Sequence, residues 1–80
     1  MKPRDADRQI AVTIGDALRY FRHRAQLTQP QAAAAVGVAQ STWSLWERGR
    51  VCPRVTHLDR VADAFGVSRQ TLVAFDWKAR

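Results

Sequence analysis

The placement of glycine sets the architecture of this chain. Gly37, Gly49 and Gly66 each close a run whose apolar residues recur at helical spacing. Glycine enters the left-handed conformation of a sharp helix exit without the steric cost a side chain brings. The matching start signal stands at Thr28, followed three residues later by Gln31. In such a capping box each side chain satisfies a free amide of the first turn, and Pro30 is tolerated because first-turn amides have no helical partner. The chain is therefore expected to be all-α and built from short helices.

From Thr13 onward Ile14, Ala17, Leu18, Phe21 and Ala25 fall at helical spacing, with Asp16, Arg19 and residues 22–24 mostly between them. This is the first helix. The second starts at about Gln29, runs through the alanines of 32–35, where helix propensity is highest, and stops at Gly37. After a turn of Gly37, Val38 and Ala39, a third helix covers Gln40 to Arg48 and ends at Gly49. Residues 50–53 read as a loop. Val55, Leu58, Val61, Ala62 and Phe65 mark a fourth helix closed by Gly66, and Ser68 caps a short fifth helix carrying Leu72, Val73 and Phe75. Neither a strand pattern nor an internal repeat is visible. The expected organisation is a flexible arm at residues 1–9, which are polar and aperiodic, one domain over residues 10–75, and a tail at residues 76–80.

A chain of 80 residues buries little more than half of the surface its unfolded form would expose, so the core has to be compact. With 46% apolar and 25% charged residues, the composition is that of a folded chain. Thirteen Lys and Arg, nearly all Arg, against seven Asp and Glu give a net charge of +6. That balance favours a polyanionic partner, and the planar fork of Arg suits phosphate. Cys52 is alone, so no intramolecular disulfide ties the fold to an oxidising compartment. No apolar run approaches a membrane span, and neither a membrane nor an export signal is expected; the cytoplasm is the expected location.

Two short helices joined by a turn containing Gly form a helix-turn-helix pattern. The faces of the third helix sharpen it. Advancing about 100° per residue puts Thr42, Trp43, Trp46 and Glu47 on one side and Gln40, Ser41, Ser44 and Leu45 on the other. Paired aromatics at helical spacing mark a buried face, which assigns both tryptophans to the core. The small polar face then points outward. Such a face lets a helix enter a major groove about 12 Å wide, where Gln can bond bidentately to adenine, hydroxyls can reach several base edges and Leu45 can pack on a thymine methyl.

The segments Leu27-Thr28-Gln29, Ala32-Ala33, Val36-Gly37-Val38, Gln40-Ser41-Thr42, Trp46-Glu47-Arg48-Gly49 and Pro53 resemble the phage repressor and Cro family, the xenobiotic-response-element type of helix-turn-helix regulator. The likeness runs from about Ile14 to Leu72. It implies a compact five-helix, lambda-repressor-like domain acting as a sequence-specific transcriptional regulator, a repressor binding a palindromic operator in double-stranded DNA as a homodimer. By the same resemblance Gln40, Ser41, Ser44 and Leu45 are base-contacting, and Thr28, Gln29, Thr42, Arg48, Arg50 and Arg54 contact phosphate, with Arg54 able to approach the minor groove. Arg22 and Glu47 are implied to form a partly buried ion pair bracing the first helix against the third. The sequence departs from the family at Pro30, at Ala32 where Leu is usual, and at Trp43 and Trp46 where aliphatic residues are usual. Small alanines on the second helix would make room for the two indoles.

A single domain of this kind covers few base pairs, so a symmetric pair is expected, with the fifth helix and the tail at Phe75, Asp76 and Trp77 as its interface. Packing of Trp77 on its own core is the alternative. The functional alternative is an antitoxin-like or coactivator-like module that uses the same fold to grip a protein. No enzyme is expected: His23 and His57 lie on separate helices, and neither metal-ligand spacing nor a nucleophile motif is present, so no catalytic residue, metal, cofactor or small-molecule ligand is assigned. Cys52, between arginines beside Pro53, reads as an inert loop thiol, with a redox switch as the rival reading.

Overall fold

The computed structural model describes residues 3–76, and side chains from Arg8 onward. Five helices and no strand occur among these residues: α1 (Pro3–Arg24), α2 (Gln29–Val36), α3 (Gln40–Glu47), α4 (Val55–Phe65) and α5 (Arg69–Val73). The all-α expectation holds.

The local signals act as their chemistry requires. Thr28 is the N-cap of α2, its hydroxyl accepting from the Gln31 amide at 3.3 Å while the Gln31 side chain accepts from the Thr28 amide at 2.9 Å. Gly37 closes α2 at φ +85°, and its amide reaches back to the carbonyls of Ala33 and Ala34. Gly49 follows Arg48, the C-cap of α3, at φ +69°, and Gly66 closes α4 at φ +67°. Ser68 caps α5 through the Thr71 amide at 3.1 Å.

The ends of the chain differ from the sequence reading. The first helix does not begin at Thr13 but continues back to Pro3, through most of the segment read as an arm. The polar residues there break the apolar periodicity of the sequence without breaking the helix, and Arg8, Gln9 and Ile10 are exposed. Ala25 falls in the turn after α1 and is exposed, whereas Phe21 is half-buried. Phe75 lies beyond the end of α5, yet it is buried, tilted against Tyr20 at a ring separation of 5.2 Å and edge-on to Phe21 at 5.9 Å. Trp77 lies outside the described residues.

The core joins all five helices: Ile14, Ala17 and Leu18 of α1, Ala32, Ala33 and Val36 of α2, Trp43 and Trp46 of α3, Leu58, Val61 and Ala62 of α4, and Leu72 of α5, with Phe75. α3 packs between α1 and α2. Trp43 and Trp46 are essentially fully buried, and the small Ala32 and Ala33 of α2 share their core, as conservation of total core volume requires. Phe65 of α4 closes on Trp43 at 6.2 Å, and His57 lies against Trp46 at 5.3 Å.

Candidate nucleic-acid interface

The site begins with what holds α3 in place. Glu47 ends that helix almost fully buried, and an isolated carboxylate in such a position carries a large desolvation penalty. Three helices supply its partners. Arg22 of α1 donates from Nε to Oε2 at 2.5 Å and from its terminal nitrogen to Oε1 at 3.1 Å, a bidentate fork. Gln29 of α2 donates to Oε1 at 3.1 Å, and the Trp43 indole N–H donates to Oε2 from one turn earlier in α3. Arg22 also donates to the Leu27 carbonyl at 3.0 Å, tying the α1–α2 turn into the same network. Burial alone would push the Glu47 carboxyl up. The hydrogen bonds from Arg22, Trp43 and Gln29, with the Arg22 charge, outweigh it and hold the group below its ordinary value.

A second device fixes how closely α1 approaches. A methyl group built on Gly15 would stand 2.6 Å from the Trp46 carbonyl oxygen and 2.8 Å from that of Glu47. The last turn of α3 therefore lies directly on the backbone of α1. Gly49, just beyond, meets Val12 in the same way, with the Val12 side chain 3.1 Å from the place a Cβ would take. Sequence reasoning passed over Gly15. Its signal was a glycine inside an otherwise apolar helical stretch, a placement that costs about 1 kcal/mol against alanine and therefore calls for a packing reason.

With Trp43, Trp46 and Glu47 buried, the opposite side of α3 faces out. Gln40 and Ser41 are exposed; Ser44 and Leu45 are half-buried, lying nearer the seam with the neighbouring helices. Thr42, assigned to the inner side of the wheel, is also half-buried. Arg48, Arg50 and Arg54 are all exposed, Arg48 reaching back from Nε to the Ser44 carbonyl at 3.4 Å and Arg54 standing at the N-cap of α4. Gln29 does not stand free: one of its two amide hydrogens is given to Glu47. The Thr28 oxygen accepts within its capping box, which leaves its hydroxyl hydrogen to donate elsewhere. Ala39, the N-cap of α3, offers no capping side chain. The first-turn amides of α3 are accordingly left without a side-chain partner.

Among the described residues no group of three or more His, Cys, Asp or Glu is placed to hold a metal ion, and no helix is long and apolar enough to cross a membrane. His23 sits exposed near the end of α1, and Cys52 is exposed in the loop before α4.

Comparison with known proteins bears on the same segment. A family model described as a helix-turn-helix domain matches residues 13–75. None of the curated proteins matches the chain.

Proposed function

Because the chain belongs to the helix-turn-helix domain family, a family of DNA-binding regulators that is typically non-enzymatic, we propose that it is a sequence-specific repressor that reads the major groove of double-stranded DNA with α3. The observation that carries this reading is the division of α3 into a buried face of Trp43, Trp46 and Glu47 and an outer face of Gln40, Ser41, Ser44 and Leu45. A helix pinned from behind by a four-fold hydrogen-bonded carboxylate presents its outer side chains at a fixed depth and rotation. That fixed pose is what direct readout demands.

Discrimination falls to Gln40, bidentate to adenine, with Ser41 and Ser44 on neighbouring base edges and Leu45 against a thymine methyl. Affinity comes from phosphate. Arg48, Arg50 and Arg54 supply charge along the backbone, Thr28 and Thr42 their hydroxyls, and Gln29 the amide hydrogen that Glu47 does not take. The outer face carries few hydrogen-bonding groups, so DNA shape and deformability contribute a large part of the selection. A repressor of this kind acts from the cytoplasm on a palindromic operator as a homodimer, with α5 and the residues after it at the two-fold axis.

Selection of bound sequences from a random duplex pool is the direct test. The proposal predicts enrichment of one motif with two half-sites whose centres are about one helical turn, roughly 34–36 Å, apart. A pool that stays random, with the protein instead retained only by another protein, would replace this reading with that of a protein-interaction module.

A further inference from the structure

An open cleft of about 600 Å³ lies where the N-terminal part of α1 meets the segment leaving α3. Arg8 enters it from α1, and Arg48 and Arg50 enter from the other wall. Ala11 and Val12 form the apolar wall between them. All three arginines are exposed, and among the described residues none is paired with a carboxylate, since the ion pairs there join Arg19 to Asp16, Arg22 to Glu47 and Arg69 to Asp59.

Arg8 is in this position for a structural reason. Val12 packs against Gly49, and Arg8 lies one turn before Val12 on the same face of α1, so the helix carries its guanidinium alongside the loop. This requires α1 to be helical ahead of residue 13, where the family match begins. Cations of like sign converging on a concave surface repel one another and concentrate positive potential there. The forked donors of arginine match the oxygens of a phosphate, which would relieve that repulsion.

We infer that Arg8, Arg48 and Arg50 form a phosphate-binding cleft, in which α1 supplies a grip from ahead of the matched residues 13–75. The source of the phosphate is the DNA backbone or a free phosphate group. The first rests on the function proposed above: Arg48 and Arg50 follow directly on α3, so a helix seated in the major groove carries them toward the flanking phosphates.

The test compares wild type with Arg8→Gln in two arms. In the first, random-sequence duplex DNA is titrated between 50 and 200 mM salt. A backbone phosphate in the cleft predicts a salt slope shallower by about one in Arg8→Gln, and hence a binding deficit that shrinks about fourfold over that range. In the second, inorganic phosphate is added without DNA while the arginine Nε–H resonances are followed. A cleft that takes free phosphate predicts saturable shifts at Arg48 and Arg50 that disappear in Arg8→Gln. Either result supports the cleft and identifies its source. Coincident salt slopes, together with phosphate shifts that are absent or survive Arg8→Gln, would overturn it. A wild-type protein that binds no duplex at all refutes the DNA-binding reading by itself, and the phosphate arm then decides the cleft alone. Arg8 is exposed, so an unchanged amide spectrum elsewhere confirms that Arg8→Gln is folded.

Discussion

Glu47 is the residue on which the arrangement of the first three helices turns. It sits at the end of α3, but its oxygens are claimed by Arg22 from α1, Gln29 from α2 and Trp43 from its own helix. Replacing it with Gln removes the charge and leaves the Arg22 guanidinium, only 12% exposed, without its counter-ion. A change that strands one member of a buried pair costs about 3–5 kcal/mol. Thermal or denaturant unfolding of Glu47→Gln should show a loss of that order, and a loss below about 1 kcal/mol would mean that the network is decorative. Acid provides a second check. Because the folded carboxyl lies below its unfolded value of about 4.3, its contribution is complete above that pH and is lost as pH falls through the folded value. The wild-type midpoint should therefore drop more steeply than that of Glu47→Gln below about pH 4. Parallel profiles would contradict the assignment. The pairing of Arg22 with Glu47 was implied by the family resemblance, whereas the Trp43 and Gln29 bonds were not, since which neighbour an indole N–H finds depends on packing between helices.

At the level of the elements, the crossing of α1 over the end of α3 decides how far α3 can shift. Gly15 permits that crossing. Alanine there gains up to about 1 kcal/mol in helix propensity, but its methyl meets two backbone carbonyl oxygens that cannot swing aside. Overpacking of this kind costs about 1–3 kcal/mol, so the clash wins. Gly15→Ala should lower the melting temperature by roughly 5 °C in a domain this size; a rise would show that the helices do not touch there. Both ends of α2, the C-terminal ends of α3 and α4 and the start of α5 were legible because they are written in local chemistry: a capping box, positive-φ glycines and a serine cap. The start of α1 was not, because its polar N-terminal residues carry no apolar period in the sequence. Phe75 was assigned to α5 and instead packs from beyond it, since a single aromatic after a short helix can reach the core from either conformation.

Among the described residues α3 turns Gln40 and Ser41 to the outside, the exposed Arg48, Arg50 and Arg54 follow it in the chain, and Trp43 and Trp46 are the largest side chains of the core behind it. The wheel of α3 could be divided from sequence because burial of Trp43 and Trp46 fixes the rotation of the remaining residues. Arg8 could not be placed beside Arg48 and Arg50, because that juxtaposition arises from tertiary contact between Val12 and Gly49. The homodimer proposed above is tested at this scale. Sedimentation of the free protein should show a concentration-dependent dimer weakened by Trp77→Ala, whereas a concentration-independent monomer that also binds DNA singly would remove the dimer from the account. The central claim is that α3 reads bases while the surrounding arginines hold phosphate. It is tested most directly by titrating Gln40→Ala and Arg50→Ala against the selected duplex and an unrelated one over a range of salt. Gln40→Ala should lose about 1–3 kcal/mol on the selected duplex alone and relax its preference, and Arg50→Ala should weaken both duplexes alike with a salt slope shallower by about one. Unchanged sequence preference in Gln40→Ala would contradict the claim.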